Sequence, residues 1–141
     1  MLIDVGVALP PRTWGPQTRT DIVRYQGASG DFNPIHHDDD FAQAGGMPGA
    51  FSVGMLQAGY LATYCTDLFG VESLRRFAVR FAEQVWPGDV LQCAGEVTAV
   101  TASSTGRLVE IALTLSREGG GVAVSASATV LIDDNFEQAQ G

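Results

Sequence analysis

The chain of 141 residues predicts an α+β fold in which one antiparallel sheet wraps around a single long central helix. Three observations carry this. Residues 51 to 66 form an uncharged, largely apolar run, too apolar on most sides to lie on a surface. From about residue 74 to 133 the apolar period changes to two. Glycine- and proline-rich breaks divide that second half into strand-length pieces. A sheet with one apolar face and a helix that must be buried are natural partners.

The elements follow in order. Residues 12 to 17 suit a short strand, and Thr18 or Thr20 can cap a helix running through Ile22, Val23 and Tyr25 toward Gly27. Asp38, Asp39 and Asp40 suit the start of another short helix, because carboxylates favour its positive end. They do not suggest a metal site, since adjacent helical residues point in different directions. Gly45, Gly46, Pro48 and Gly49 mark a loop before the central helix, expected at about 51–69, and Gly70 is its stop signal. Met55, Leu56, Tyr60 and Tyr64 on that helix read as core fillers. Phe77, Val79 and Phe81 then alternate with polar or small residues, as do Val109 to Leu115 and Val122 to Ile132, with another strand from about Val90 to Val100. Pro87-Gly88-Asp89 and Gly119-Gly120-Gly121 read as turns between neighbouring strands, which predicts an antiparallel meander. The polar tail after Asp133 is expected to fray.

Composition narrows the function. A formal net charge of -8 and a pI near 4.4 argue against nucleic acid or an anionic membrane as partners. Cys65 and Cys93 match no metal-ligand spacing and read as reduced core residues. The first eleven residues lack a basic segment followed by a long apolar one, so a cytoplasmic protein is expected.

The chemistry is expected in the loop at about 27–40. Gly30-Asp31-Phe32-Asn33-Pro34-Ile35-His36 sets an acid, an amide and an imidazole on a turn stiffened by Pro34, which fixes its own φ and pushes Asn33 toward an extended conformation. Asp31 and His36 are the candidate acid/base pair. His37 should point to the opposite side. Arg75, Arg76 and Arg80 gather near the first long strand and could grip phosphates, or simply be surface charge.

This block, with Tyr25, Ser29, Ala42, Gly54-Met55-Leu56, Val79-Arg80-Phe81 and Pro87-Gly88-Asp89, resembles the MaoC-like, R-specific enoyl-CoA hydratase family, or hydratase 2. The resemblance covers most of the chain and implies a single hot-dog domain over residues 1–141. It implies hydration of a trans-2-enoyl thioester or dehydration of a 3-hydroxyacyl thioester, with no separate cofactor; the chain's acidity would oppose docking of an acidic carrier protein and so favours acyl-CoA as substrate. Asp31 and His36 match the family's catalytic residues, which bind and activate water. Gly54 matches the glycine whose N–H binds the thioester oxygen, and Asn33 matches the loop-organising asparagine. The resemblance also implies a homodimer or a heteromer with a related hot-dog chain, which suits the open sheet edges of a single unit.

The physics agrees. Water addition at C3 builds negative charge on the thioester oxygen, and an unpaired amide in the first turn of a helix stabilises it. An imidazole with an ordinary pKa near 6.5 exchanges protons near neutrality. Asp31 either holds the same water or orients the imidazole. Family members commonly carry Ala-His-Gly where this chain has Ser52-Val53-Gly54, so an imidazole is missing beside the oxyanion donor. Ser52 is not an esterase nucleophile, because Ala50 replaces the first glycine of the G-x-S-x-G elbow. Two alternatives remain: a partner-dependent or noncatalytic subunit of a heteromeric hydratase, suggested by Val53, and a thioesterase on the same fold.

Overall fold

The period-two segments all become strands. The computed structural model describes residues 1–136. Its strands β1 (Arg12–Trp14), β2 (Leu74–Phe81), β3 (Leu91–Ser103), β4 (Gly106–Arg117) and β5 (Val122–Ile132) form one antiparallel sheet. Three helices accompany it, α1 (Arg19–Ser29), α2 (Asp39–Ala44) and α3 (Gly54–Phe69), with 3-10 turns at Pro34–His36 and Val71–Ser73. On β4, Val109, Ile111, Leu113 and Leu115 are all buried, as are Val124, Ala128, Val130 and Ile132 on β5. Leu61, Tyr64, Cys65 and Phe69 of α3 complete the same core. Each fully buried aliphatic side chain of this kind contributes roughly 1.5–3 kcal/mol. The helix and the sheet therefore stabilise each other.

The expected strand order needs correction. β3, β4 and β5 do form a meander, but β2 pairs with β5 and the order is β1-β3-β4-β5-β2. Alternation fixes which residues face the core and leaves the choice of neighbour open. After β2, the N–H groups of Ala82 and Glu83 both bond to Ala123 O, and the chain then leaves β5 for β1 and β3. Gly88 N–H bonds to Gln17 O and Gln17 N–H to Asp89 O. Pro87-Gly88-Asp89 thus belongs to a crossing connection. Gly119 (φ +71°) does close the β4–β5 hairpin as expected.

Several boundaries also move. β1 ends at Trp14, short of residue 17, before Gly15 with a positive φ. α1 continues past Gly27 to Ser29, because the αL residue that stops it is Gly30. α3 starts at Gly54; residues 51 to 53 are extended, held by bonds from Phe51 N–H to Ile35 O and from Ser52 N–H to Val85 O. The helix is not buried all round. Met55, Gly59, Thr63 and Asp67 form an exposed i, i+4 stripe, so Met55, 54% exposed, is not core. The sheet covers the opposite face. Tyr64 is buried with its hydroxyl donating to Pro10 O, and Tyr60 stacks on Trp14. The tail expected to fray lies partly at residues 137–141, outside the described residues. Among the described residues, no helix is long and apolar enough to cross a membrane.

The β3–β4 hairpin turns at Gly106, whose φ of +137° is unsuited to L side chains, and a Cβ there would overlap the Ile132 carbonyl oxygen. Gly106→Ala is expected to lower unfolding free energy by about 3 kcal/mol. Urea unfolding checks this; an unchanged midpoint would refute it.

Candidate active site

The loop is built from α1 outward. Thr18 caps this helix: its hydroxyl accepts from Asp21 N–H, and the Asp21 carboxylate accepts from Thr18 N–H. At the other end, buried Gln26 reaches into the loop. Its Nε2 donates to Asp31 O at 2.9 Å and Asn33 O at 3.1 Å, while its Oε1 accepts from His37 Nδ1 at 3.0 Å. One side-chain amide therefore fixes the path of residues 31 to 33. Asn33 Oδ1 accepts from Ile35 N–H and starts the 3-10 turn, and Asn33 N–H donates to Asp31 Oδ1.

That turn aims His36 away from His37. His36 Nδ1 lies 2.8 Å from Phe51 O, and a carbonyl can only accept, so Nδ1 carries the proton and neutral His36 has its basic lone pair on Nε2. Nε2 stands 3.8 Å from Asp31 Oδ2, with the imidazole 11% and the carboxylate 44% exposed. This gap is too long for a direct hydrogen bond and suits a shared small molecule. The Phe51 ring meets the imidazole edge-on and fixes its plane. The structure thus brings Asp31 and His36 together.

A cavity of about 210 Å³ opens at the start of α3, lined by Phe51, Ser52, Gly54, Gln57, Phe81 and Val85 among others. Gly54 is the first residue of α3, and its N–H precedes the intrahelical bonds. A Cβ at Gly54 would stand 3.1 Å from the Phe81 ring, so the glycine lets that ring close over the helix start. Val53 is buried and does not line the cavity. Asp31 and His36 do not line it either; Phe51, through its carbonyl, is the link between the pair and the cavity wall.

The arginines stand apart from this cavity. Arg75 falls at a bulge in the β2–β5 pairing and donates to Glu72 O and Leu74 O. Arg76 and Arg80 are exposed, and Arg80 borders a shallow groove with Ser125 and Ser127. Cys65 and Cys93 are free and buried, and burial pushes both thiols up to about 11.

Sequence reasoning missed Gln26, Gln57 and the cover supplied by Phe81. Gln57 did leave a signal, as a long polar side chain in the apolar first turns of the central helix. Gln26 left none, since its role depends on where the loop turns back.

The MaoC like domain family matches residues 5–118, which hold the loop, α3 and most of the sheet. The chain belongs to this family. A peroxisomal multifunctional enzyme type 2 from Mus musculus is 39% identical over 97 residues, covering 64% of this MaoC-like chain and 13% of that protein. The MaoC-like chain thus spans about an eighth of that relative's length. A 3-oxo-4,17-pregnadiene-20-carboxyl-CoA hydratase beta subunit from Mycobacterium tuberculosis is 34% identical over 98 residues, 68% of this chain and 74% of the subunit. In three dimensions, a chain of the ChsH1-ChsH2 complex from Mycobacterium tuberculosis superposes with a TM-score of 0.80 at 26% identity, covering 93% of this chain and 99% of that one. An (R)-hydratase from A. caviae, at 24% identity and a TM-score of 0.75 over 92% of this chain and 97% of that one, shares the fold. The sheet wrapped on α3 is the hot-dog fold.

In this MaoC-like chain one carboxylate ties the supports together. Asp39 Oδ1 accepts from Ala50 N–H at 2.8 Å, and both its oxygens accept from Arg19 Nη2, so α1, α2 and the segment before α3 meet there. The Ala50 N–H, and next the Arg19 guanidinium, hold this carboxyl below its ordinary value of 3.8. A depressed pKa contributes stability that is full above the unfolded value and lost as pH falls through the folded one. Thermal melts across an acid titration are expected to show wild type above Asp39→Asn near neutrality, with the difference shrinking as pH drops below the unfolded carboxylate pKa. A difference independent of pH would refute this.

Proposed function

We propose that the chain hydrates trans-2-enoyl-CoA thioesters to (R)-3-hydroxyacyl-CoA and runs the reverse dehydration. The observation that carries this reading is the His36 tautomer: Phe51 O holds the proton on Nδ1, and the free Nε2 faces Asp31 across 3.8 Å. A water in that gap would be held by both groups. Nε2 takes its proton as its oxygen attacks C3, electron density moves through C2 to the thioester oxygen, and the imidazolium then gives that proton to C2, so one water is added and His36 ends neutral. The Gly54 N–H meets the developing oxyanion at the positive end of α3. Asn33 acts through the loop, Ser52 shapes the approach to Gly54 from the cavity wall, and buried Val53 acts as the residue from which the helix starts. Hydration consumes only water, so the reaction needs no cofactor.

Coenzyme A as the carrier is supported by the hydratase subunit's name, and the (R) outcome by the Gly30-to-His36 block. Arg75, Arg76 and Arg80 are assigned to its phosphates by their charge. A second hot-dog chain, identical or related, is proposed to cover the free edge of β2 and the apolar Met55 and Phe81, which are 54% and 50% exposed. The similarity to a chain from a two-component complex favours a second reading, in which this chain works as one subunit of a heteromeric hydratase.

Loss of enoyl absorbance with a panel of trans-2-enoyl-CoAs is the direct measurement. Asp31→Asn and His36→Ala are each expected to lower kcat by about 10²-fold or more while the protein stays folded, with His36→Ala also lowering the melting temperature because Phe51 O loses its partner. Folded wild type inactive alone but active with a second hot-dog chain would select the subunit reading. Full activity in both variants would sink the proposed mechanism.

A further inference from the structure

Three residues beyond Gly54, α3 carries Gln57, which is 2% exposed and lines the same cavity. Residues three apart share a helix face, and helical side chains lean toward the N-terminus, so the Gln57 amide runs back along α3 toward its first turn. Its one hydrogen bond locates it there: the hydroxyl of Ser52, two residues before the helix, donates to Gln57 Oε1 at 3.3 Å. Nε2 is left with two hydrogens and no acceptor among the described residues. Gln57 lines the cavity, so an acceptor bound there can take these hydrogens. Around it the walls are mostly apolar, with Phe51, Phe81, Val85 and Val124, and such surroundings strengthen a hydrogen bond to a charged oxygen. Val53, at the N-cap, contributes no side-chain hydrogen bond to the helix start.

We infer that Gln57 is a further catalytic residue, whose Nε2 is the second donor to the thioester oxygen beside the Gly54 N–H. Ser52 is its positioning residue, holding Oε1 so that the NH₂ group faces the cavity. The inference rests on the hydratase reading for its substrate. The amide makes and breaks no covalent bond; it stabilises negative charge that grows on the oxygen as water adds at C3, and so acts more on the transition state than on bound substrate.

The test compares wild type, Gln57→Met, which keeps the length without a donor, and Gln57→Glu, which keeps an acceptor toward Ser52 but loses the NH₂ group. Each variant should lower kcat for trans-2-enoyl-CoA hydration by about 10²-fold with a smaller change in KM. In the Asp31→Asn background, the vibrational band of the bound thioester carbonyl reports donation directly. It should move to higher frequency when Gln57→Met is added, which a purely structural role would not cause. Equal kcat in wild type and folded Gln57→Met, with an unmoved band, overturns the role of Gln57 and leaves the hydratase reading intact. Should wild type bind enoyl-CoA without hydrating it, the hydratase reading falls, and the band shift alone decides whether Gln57 donates. A protein that neither binds nor hydrates enoyl-CoAs overturns both.

Discussion

The short extended segment before α3 is the joint on which the site depends. Ala50 N–H is taken by the Asp39 carboxylate, Phe51 N–H by Ile35 O, Ser52 N–H by Val85 O, and Phe51 O by the His36 imidazole. Only three consecutive peptide groups are involved, yet they fasten α2, the acid/base loop, the β2–β3 connection and the start of the central helix to one another. Backbone groups buried this close to a core must find partners. Here the partners are the same atoms that set the chemistry. The proton position on His36 follows from a main-chain carbonyl, so the protonation pattern of the site is written into the fold.

A second constraint comes from the packing of the sheet on α3. β3, β4 and β5 bury one face of α3 with aliphatic residues, and small residues keep the layers close. A Cβ at Gly95 would stand 2.9 Å from the methyl ends of Leu113 and Leu9, so a larger residue there would make both leucines shift. The opposite stripe of α3, with Met55 and Gly59, is exposed among the described residues. The fold therefore ends with an apolar helix start exposed beside a sheet edge, a pattern that large hydrophobic exposure makes costly in isolation.

Much of this is legible in the sequence. The switch of apolar period at about residue 74 separated helix from sheet, and the Asp31-to-His36 block located the paired groups. The exact start of α3 was not legible, because Phe51, Ser52 and Val53 are as apolar or small as the helix that follows; hydrogen bonds to Ile35 and Val85, distant in sequence, hold them extended. The place of β2 next to β5 was equally hidden, since period-two alternation is the same whichever neighbour a strand chooses. Gln26 shows the same limit for the site. Its amide sits on three partners contributed by the following loop, and no local pattern in α1 announces them.

The two cysteines carry a last consequence. Both are fully buried and free, and each thiol is pushed up to about 11. Only the thiolate attacks electrophiles, so near neutral pH the folded chain offers no sulfur nucleophile to an activated acyl group or an alkylating reagent. Its sulfur chemistry is gated by opening of the core, because Cys65 on α3 and Cys93 on β3 lie in the layer that joins helix to sheet. Native protein is thereby protected from self-acylation, and any thiol that does react marks a molecule whose two layers have come apart.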